Sequence, residues 1–263
     1  MQENKKFKIV TSKKTRYLLP NILTLAGVCL GISSIKFSID GNFSLAVKLI
    51  LFAAIIDALD GRIARLIKGT SEFGKELDSL TDFVSFGIAP VFILYFWELN
   101  NYGKLGWAIT LIYSVCCVLR LARFNLTKIE ETEKWKNNFF EGIPSPAGGL
   151  LILMPLIYEL TNIDIGINVT NLTPYLTIII AILLVSKIPT LALKKISISS
   201  KATVFLLLGI GIIFIALLFY TLETLLIFGI IYLISIPVSI FLYNNQNKKI
   251  AEKISEDNHE DIL

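Results

Sequence analysis

Long apolar runs separated by short polar segments dominate the chain. A helix that crosses the hydrocarbon core of a bilayer needs about 20 mostly apolar residues, within a range of about 17–25. Eight runs approach or reach that length, and each predicts a membrane-spanning helix. They are Leu19–Ile39, Phe43–Leu59, Phe83–Leu99, Leu105–Leu121, Ala147–Leu160, Leu172–Lys187, Ala202–Tyr220 and Leu222–Tyr243. The pattern therefore predicts an all-α, polytopic membrane protein with about eight transmembrane helices.

The basic residues fall on one side of this predicted topology. If the N-terminus is cytoplasmic, all of the 25 Lys and Arg residues lie on the cytoplasmic side except Lys36, Lys48 and Lys104. Cytoplasmic loops of membrane proteins carry such an excess of Lys and Arg. The distribution predicts an integral protein of the cell (cytoplasmic) membrane, with both termini in the cytoplasm and an even number of spans.

Composition supports the membrane prediction and removes whole classes of chemistry. Hydrophobic residues make up 54% of the chain and charged residues only 17%, whereas a soluble domain has about 25% charged residues. The single histidine, His259, lies in the polar tail. This argues against histidine catalysis, a histidine metal site and a Ser-His-Asp triad, and we expect no nucleic-acid partner.

Four aspartates lie at the end of the second run and just before the third. The chain reads DALDGRIAR from Asp57 and GKELDSLTD up to Asp82. On a helix, Asp60 would lie beside the stripe that contains Asp57, and Asp78 and Asp82 would share a face because they are four residues apart. The connection between the two segments is short, so we expect neighbouring antiparallel helices whose carboxylates converge near the cytoplasmic edge of the membrane.

Clustered carboxylates repel one another and are costly to desolvate, so they need cations. Oxygen ligands without histidine or thiol favour hard ions, Mg²⁺ or Mn²⁺. Two such ions would offset about four negative charges and could clamp a phosphoryl transfer. Gly61 and Ala64 would keep the adjacent helix surface low for a ligand, Gly74 would relax the turn before Asp78, and Arg65 could balance phosphate charge.

The complete pattern is D-x-x-D-G-x-x-A-R, eight residues, then G-x-x-x-D-x-x-x-D. In this pattern the chain resembles the CDP-alcohol phosphatidyltransferase family, and all eight signature positions match: Asp57, Asp60, Gly61, Ala64, Arg65, Gly74, Asp78 and Asp82. The resemblance implies exchange of the CMP of a CDP-linked lipid for an alcohol, a divalent metal, a six-helix membrane core and a homodimer. It implies metal binding by Asp57, Asp60 and Asp78, with Asp82 completing the cluster and acting as the base. It also implies a CDP site at Asp57, Asp60, Gly61, Ala64, Arg65 and Gly74.

Further stretches indicate the acceptor. LPNILT from Leu19, RLARFN from Arg120, FEGIPSPAGG from Phe140 and SKIPT from Ser186 look like the membrane-integral phosphatidylserine synthases, the branch of the family that uses serine. This implies transfer of the phosphatidyl group of CDP-diacylglycerol to the hydroxyl of L-serine, with release of CMP, in phospholipid biosynthesis. The serine carboxylate needs a cationic partner. The candidates for the acceptor site are Arg120, Arg123, Asn125 and Lys187.

The sequence leaves alternatives open for the residue roles, the acceptor, the mechanism and the class of protein. The cationic candidates could be topological anchors, and Asn125 could cap a turn. The acceptor could be glycerol 3-phosphate or an inositol phosphate. We expect direct transfer, but an aspartate nucleophile with ping-pong kinetics is the rival mechanism. A remote alternative is a cation transporter, although transporter sites usually lie near the bilayer midplane in broken helices.

The resemblance extends from about Leu18 to Lys195 and suggests four parts. Residues 1–17 form a basic arm, cytoplasmic or interfacial, and residues 18–200 form the catalytic six-helix core. Residues 201–243 supply two additional spans, to which the sequence assigns no role, and residues 244–263 form a polar cytoplasmic tail.

Overall fold

The computed structural model describes residues 13–67, 69, 71–126, 139–161, 163, 166, 168–191 and 200–260. Its first half consists of α1 (Lys13–Ile39), α2 (Phe43–Leu66), α3 (Glu72–Asp82), a π-helical segment (Phe83–Ile88), α4 (Ala89–Trp97), a 3-10 turn (Leu99–Tyr102) and α5 (Lys104–Leu126). Its second half consists of β1 (Phe139–Glu141), α6 (Ser145–Ile152), α7 (Met154–Leu160), α8 (Thr173–Val185), β2 (Pro189–Leu191), α9 (Ser200–Phe219) and α10 (Thr221–Glu260).

Every predicted apolar run overlaps a helix, so the all-α prediction is confirmed. Within the described residues, four helical stretches are long and apolar enough to cross a membrane: Leu18–Ile39, Glu72–Trp97, Lys104–Leu126 and Thr221–Asn245. Two shorter apolar helices are Thr173–Val185 and Phe205–Phe219. The count of eight spans stays a prediction.

The third span begins earlier than its apolar run indicated. It starts at Glu72, not at Phe83, and runs through α3, the π-helical segment and α4. Ser71 caps its start, because the Ser71 Oγ accepts a hydrogen bond from the Gly74 amide at 3.0 Å. Asp78 and Asp82 therefore lie within a continuous helical span, and the apolar run alone underestimated its length.

Helix α1 packs against α2, α3, the π-helical segment and α4. A Cβ at Gly31 would lie 2.9 Å from Ser85 Oγ and 3.0 Å from Ser85 Cα, so only glycine allows this approach. The Ser85 hydroxyl donates a hydrogen bond to the Gly27 carbonyl at 3.1 Å. Close backbones joined by small and hydroxyl side chains are typical of helix packing in membranes. This contact brings the polar residues of α1 next to the carboxylates of α2 and α3.

The fifth predicted run is broken at Leu153 into α6 and α7, with Pro155 in the first turn of α7. Proline has no amide proton to donate, so a continuous helix would lose a hydrogen bond there. A short two-stranded antiparallel sheet, which the apolar pattern did not predict, pairs β1 with β2 across the three intervening helices. Gly142 follows β1 with φ 73°, and a Cβ there would lie within 3.0 Å of the carbonyl oxygens of residues 183, 184 and 186.

The last two helices pack unequally against the rest. Helix α10 contacts α7 and β2, while α9 contacts mainly α10. Most described side chains of α9 are exposed, as expected for a surface that faces lipid. The α10 backbone remains helical to Glu260, so most of the predicted tail continues this helix. Residues 1–12 of the predicted arm and residues 261–263 lie outside the described residues.

Candidate active site

Three of the predicted carboxylates converge. Helix α2 contributes Asp57 and Asp60 and helix α3 contributes Asp78, and one carboxylate oxygen from each lies within 4.8 Å of the others. Asp60 is only 3% exposed. Like charges at this separation need a compensating cation. An all-oxygen donor set fits the ligand preference of Mg²⁺ or Mn²⁺, so these residues suit a divalent metal.

Helix α1 supports this cluster from the side. The buried Thr24 hydroxyl donates a hydrogen bond to Asp60 Oδ2 at 2.7 Å. Thr24 lies in the LPNILT stretch, and the sequence pattern alone assigned it no role. The one available signal was a hydroxyl residue within an apolar run, one helical turn after Pro20.

Asp82 lies at the edge of the cluster, beside the carboxyl group of Asp57. Its Oδ2 accepts a hydrogen bond from the Ser145 hydroxyl at 2.8 Å. Ser145 Oγ in turn accepts one from Arg120 Nη1 at 2.9 Å. Asp82 Oδ1 is buried, and it has no hydrogen-bond partner among the described residues. Asp82 is therefore hydrogen-bonded to Ser145 at one oxygen, and its carboxyl group also lies within hydrogen-bond distance of the carboxyl group of Asp57.

A cavity of about 540 Å³ opens beside the carboxylates, between α1, α2 and the start of α3. This volume lies within the range of small-molecule sites, about 300–1,000 Å³. Its lining includes the predicted CDP-site residues Asp60, Gly61, Ala64, Arg65 and Gly74, together with Asp78. The predicted CDP residues thus share one cavity, apart from Asp57, which lines a smaller adjoining void together with Asp60 and Thr24.

The two glycines of the cavity have different surroundings. A Cβ at Gly61 would meet no atom within 4 Å, so this position faces open space in the cavity. A Cβ at Gly74 would lie 3.1 Å from both Asn21 Oδ1 and Ser71 Oγ. Gly61 therefore leaves room for a ligand, while Gly74 leaves room for the contact between α1 and α3.

The predicted acceptor residues lie at the ends of α5 and α8, and the described lining of the cavity does not include them. Arg120 is 8% exposed and stacks 5.3 Å from the centroid of the Phe124 ring. Arg123 donates hydrogen bonds to carbonyl oxygens at the end of α8, including that of Ser186 at 3.0 Å. Lys187 is exposed.

Asn125 completes the predicted acceptor set. Its side-chain amide donates a hydrogen bond to Ser79 Oγ at 2.9 Å. This contact ties the end of α5 to α3, one residue after Asp78. Asn125 thus joins two helices of the site. The two roles suggested by the sequence, acceptor binding and capping of a turn, did not predict this contact.

The chain matches the sequence model of the CDP-alcohol phosphatidyltransferases over residues 17–241, and it belongs to that family. Enzymes of this family use divalent metal ions, in agreement with the carboxylate cluster. Membership and the apolar helices together indicate an integral membrane protein. The transporter alternative has no support in these findings.

Similar proteins share one name. The CDP-diacylglycerol–serine O-phosphatidyltransferase of Helicobacter pylori strain J99 is 33% identical over 238 residues, which cover 88% of this chain and 97% of that protein. The enzyme of that name from Mycobacterium leprae is 38% identical over 185 residues, which cover 69% of this chain and 60% of that protein. The one from Mycobacterium tuberculosis H37Rv is 41% identical over 137 residues, or 52% and 48% of the two chains. The chain thus spans about half the length of the mycobacterial relatives it matches.

Proposed function

We propose that the protein is a phosphatidylserine synthase, which transfers the phosphatidyl group of CDP-diacylglycerol to the hydroxyl of L-serine and releases CMP. The observation that carries the proposal is the cavity lined by signature residues, with the carboxylate cluster at its wall. The names of the relatives favour serine as the acceptor. Phospholipid biosynthesis is the corresponding cellular process.

Asp57, Asp60 and Asp78, completed by Asp82, would hold two divalent ions, Mg²⁺ or Mn²⁺. When bound, such ions neutralise charge that develops on phosphate oxygens during transfer. The chain's own contribution is the fixed array of oxygens. Thr24 stabilises that array by holding Asp60 from the side.

The cavity would receive the cytidine diphosphate group. Gly61 and Ala64 keep the surface of α2 low, so the nucleotide can approach the backbone. Arg65 lines the same cavity and offers a planar, multiply donating cation to phosphate oxygens. The acyl chains would extend from this site into the surrounding lipid.

Asp82 would act as the general base. The serine hydroxyl loses its proton to Asp82 while its oxygen forms a bond to the lipid-side phosphorus. The bond between that phosphorus and the CMP oxygen breaks, and CMP leaves with that electron pair. We propose this direct transfer over a phosphatidyl-aspartate route because Asp82 is half-buried, lies beside Asp57 and is already bonded to Ser145.

The serine carboxylate would be bound by the acceptor set of Arg120, Arg123, Asn125 and Lys187. Lys187 supports this because it is exposed and next to Ser186, whose carbonyl Arg123 binds. The basic residues of the loops favour a site, and both termini, on the cytoplasmic side of the cell membrane. A homodimer stays a prediction, which cross-linking in native membranes would test.

The decisive experiment measures CMP release from CDP-diacylglycerol by purified protein in detergent with Mn²⁺ or Mg²⁺. L-serine, glycerol 3-phosphate, inositol phosphate and no acceptor are compared. We expect serine-dependent release that EDTA abolishes and added metal restores. We expect Asp82→Asn to lose activity by about 100-fold or more, the usual range for a general base.

Asp40→Asn is the matched control, because Asp40 is an exposed aspartate that pairs with Lys36 outside the site. It should keep wild-type activity. Release with a phosphorylated acceptor alone would keep the transferase chemistry and refute serine as the acceptor. Folded wild-type protein that releases no CMP under any condition would refute the transferase proposal itself.

A further inference from the structure

The Ser145 hydroxyl connects three helices at the reacting end of the site. Ser145 opens α6 and is 0% exposed. It donates to Asp82 Oδ2, at the end of α3, at 2.8 Å. It accepts from Arg120 Nη1, on α5, at 2.9 Å. A hydroxyl has one proton to donate, and Ser145 donates it to Asp82, while Arg120 fixes the orientation of the Ser145 oxygen.

Asp82 consequently has two unlike oxygens. Ser145 donates to Oδ2, whereas Oδ1 is buried and accepts no hydrogen bond from a donor within the described part of the chain. The carboxyl group of Asp57 is the neighbouring acid within hydrogen-bond distance of Asp82. A buried acceptor without a partner is costly unless a ligand or ion satisfies it. Oδ1 is therefore the atom that remains for the reacting hydroxyl.

We propose that Ser145 is a positioning residue for the reaction: its hydroxyl, oriented by Arg120, holds the Asp82 carboxylate so that Oδ1 faces the acceptor hydroxyl. The inference rests on the proposed function, in which Asp82 takes the proton. It assigns a role to the stretch from Pro144 to Pro146, which belongs to the family resemblance but had no assigned function.

The site explains why a serine, oriented in this way, is suitable. Asp82 ends α3, and the π-helical segment begins at the next residue, so its backbone alone does not lock the carboxylate. Arg120 is itself held between Ser145 and the Phe124 ring. The planar, stacked guanidinium is a rigid donor. It fixes the orientation of the Ser145 hydroxyl, and that hydroxyl in turn fixes the orientation of the Asp82 carboxylate.

The test compares Ser145→Ala, Ser145→Thr and wild type in the CMP-release assay. Loss of the hydroxyl should lower kcat by about 10- to 100-fold, the scale expected for a misplaced catalytic group. The KM for CDP-diacylglycerol should stay within about twofold, because Ser145 is not among the described residues that line the cavity. Ser145→Thr, which keeps a hydroxyl, should recover most of kcat.

Ser34→Ala is the matched control. Ser34 is also 0% exposed, but its hydroxyl donates to the Gly31 carbonyl of its own helix, at 2.6 Å. It should keep the kcat of wild type. If Ser145→Ala merely damaged the fold, the KM for CDP-diacylglycerol would change along with kcat, and that result would overturn the proposal.

A double-mutant cycle gives a second, independent readout. The kcat is measured at saturating L-serine, because Arg120 also belongs to the proposed acceptor set. If Arg120 acts on Asp82 through Ser145, Ser145→Ala combined with Arg120→Gln should reduce this kcat no further than the more damaging single change. Additive losses would overturn the relay. An unchanged kcat in Ser145→Ala, with wild-type protein active, would overturn the positioning role while the proposed function stands. An inactive wild type would overturn both.

Discussion

Gly61 offers a direct test of the cavity. The substitution Gly61→Ala adds one methyl group to the wall that α2 contributes to the cavity. That methyl would meet no atom of the described residues within 4 Å, so this part of the protein has space for it. The same methyl would point into the volume assigned to the cytidine diphosphate group. Folding and ligand binding should therefore respond in opposite directions.

The two magnitudes follow from different principles. Alanine in place of glycine within a helix stabilises the folded state by about 0.5–1 kcal/mol. An extra methyl group in an occupied, well-packed space costs about 1–3 kcal/mol. In binding, that cost corresponds to a KM for CDP-diacylglycerol raised by about 5- to 150-fold. We expect a melting temperature equal to or above that of wild type, together with this rise in KM.

The assay pairs CMP-release kinetics with a thermal unfolding curve in the same detergent. Gly209→Ala is the control, because a Cβ at Gly209, within α9, also meets no atom within 4 Å but lies outside the cavity lining. It should share any gain in stability and keep the KM. A Gly61→Ala protein with unchanged KM would refute the assignment of the cavity, and one that unfolds earlier than wild type would refute the open space at Gly61.

Two further substitutions test the surroundings of the site. Thr24→Val removes the hydroxyl that holds Asp60 and should raise the metal concentration for half-maximal activity by about 10- to 100-fold. Thr177→Val changes a buried threonine of α8 and is the control, which should be unaffected. An unchanged metal titration for Thr24→Val would contradict the prediction. Arg123→Gln removes a charged donor from the carbonyls at the end of α8 and should destabilise the protein by about 1–3 kcal/mol in thermal or denaturant unfolding. Unchanged stability would show that these hydrogen bonds contribute little.

The carboxylate cluster was predictable because helical periodicity is a local property. The spacing of Asp57 and Asp60 fixes their relative direction on α2 before any tertiary contact is known. The observed group of Asp57, Asp60 and Asp78 confirms that these acids converge. The apolar runs likewise identified the helices, because burial in lipid and burial in protein select the same residue types.

The Arg120–Ser145–Asp82 relay could not be derived in the same way. Its members are separated by 25 and 63 positions along the chain, and they meet only after three helices have packed. Composition also favoured topological anchoring for Arg120, since basic residues collect at cytoplasmic ends regardless of any catalytic role. The supporting bond from Thr24 to Asp60 escaped notice for the same reason.

The winding of the π-helical segment decides the direction in which Asp78 and Asp82 point. A π-helix closes its hydrogen bonds over five residues instead of four, and here the Ala89 amide bonds to the Val84 carbonyl. Deleting one residue from Phe83–Ile88 would give a regular α-helix with α3 and α4 close to their present relative rotation, because a π-turn takes up one extra residue. If all six residues wound as a regular α-helix, α3 would rotate by about 100° relative to α4. Asp78 and Asp82 would then point away from α2 even though every residue of the signature remained. The site therefore depends on the π-helical winding of this segment as well as on the identity of the acids themselves.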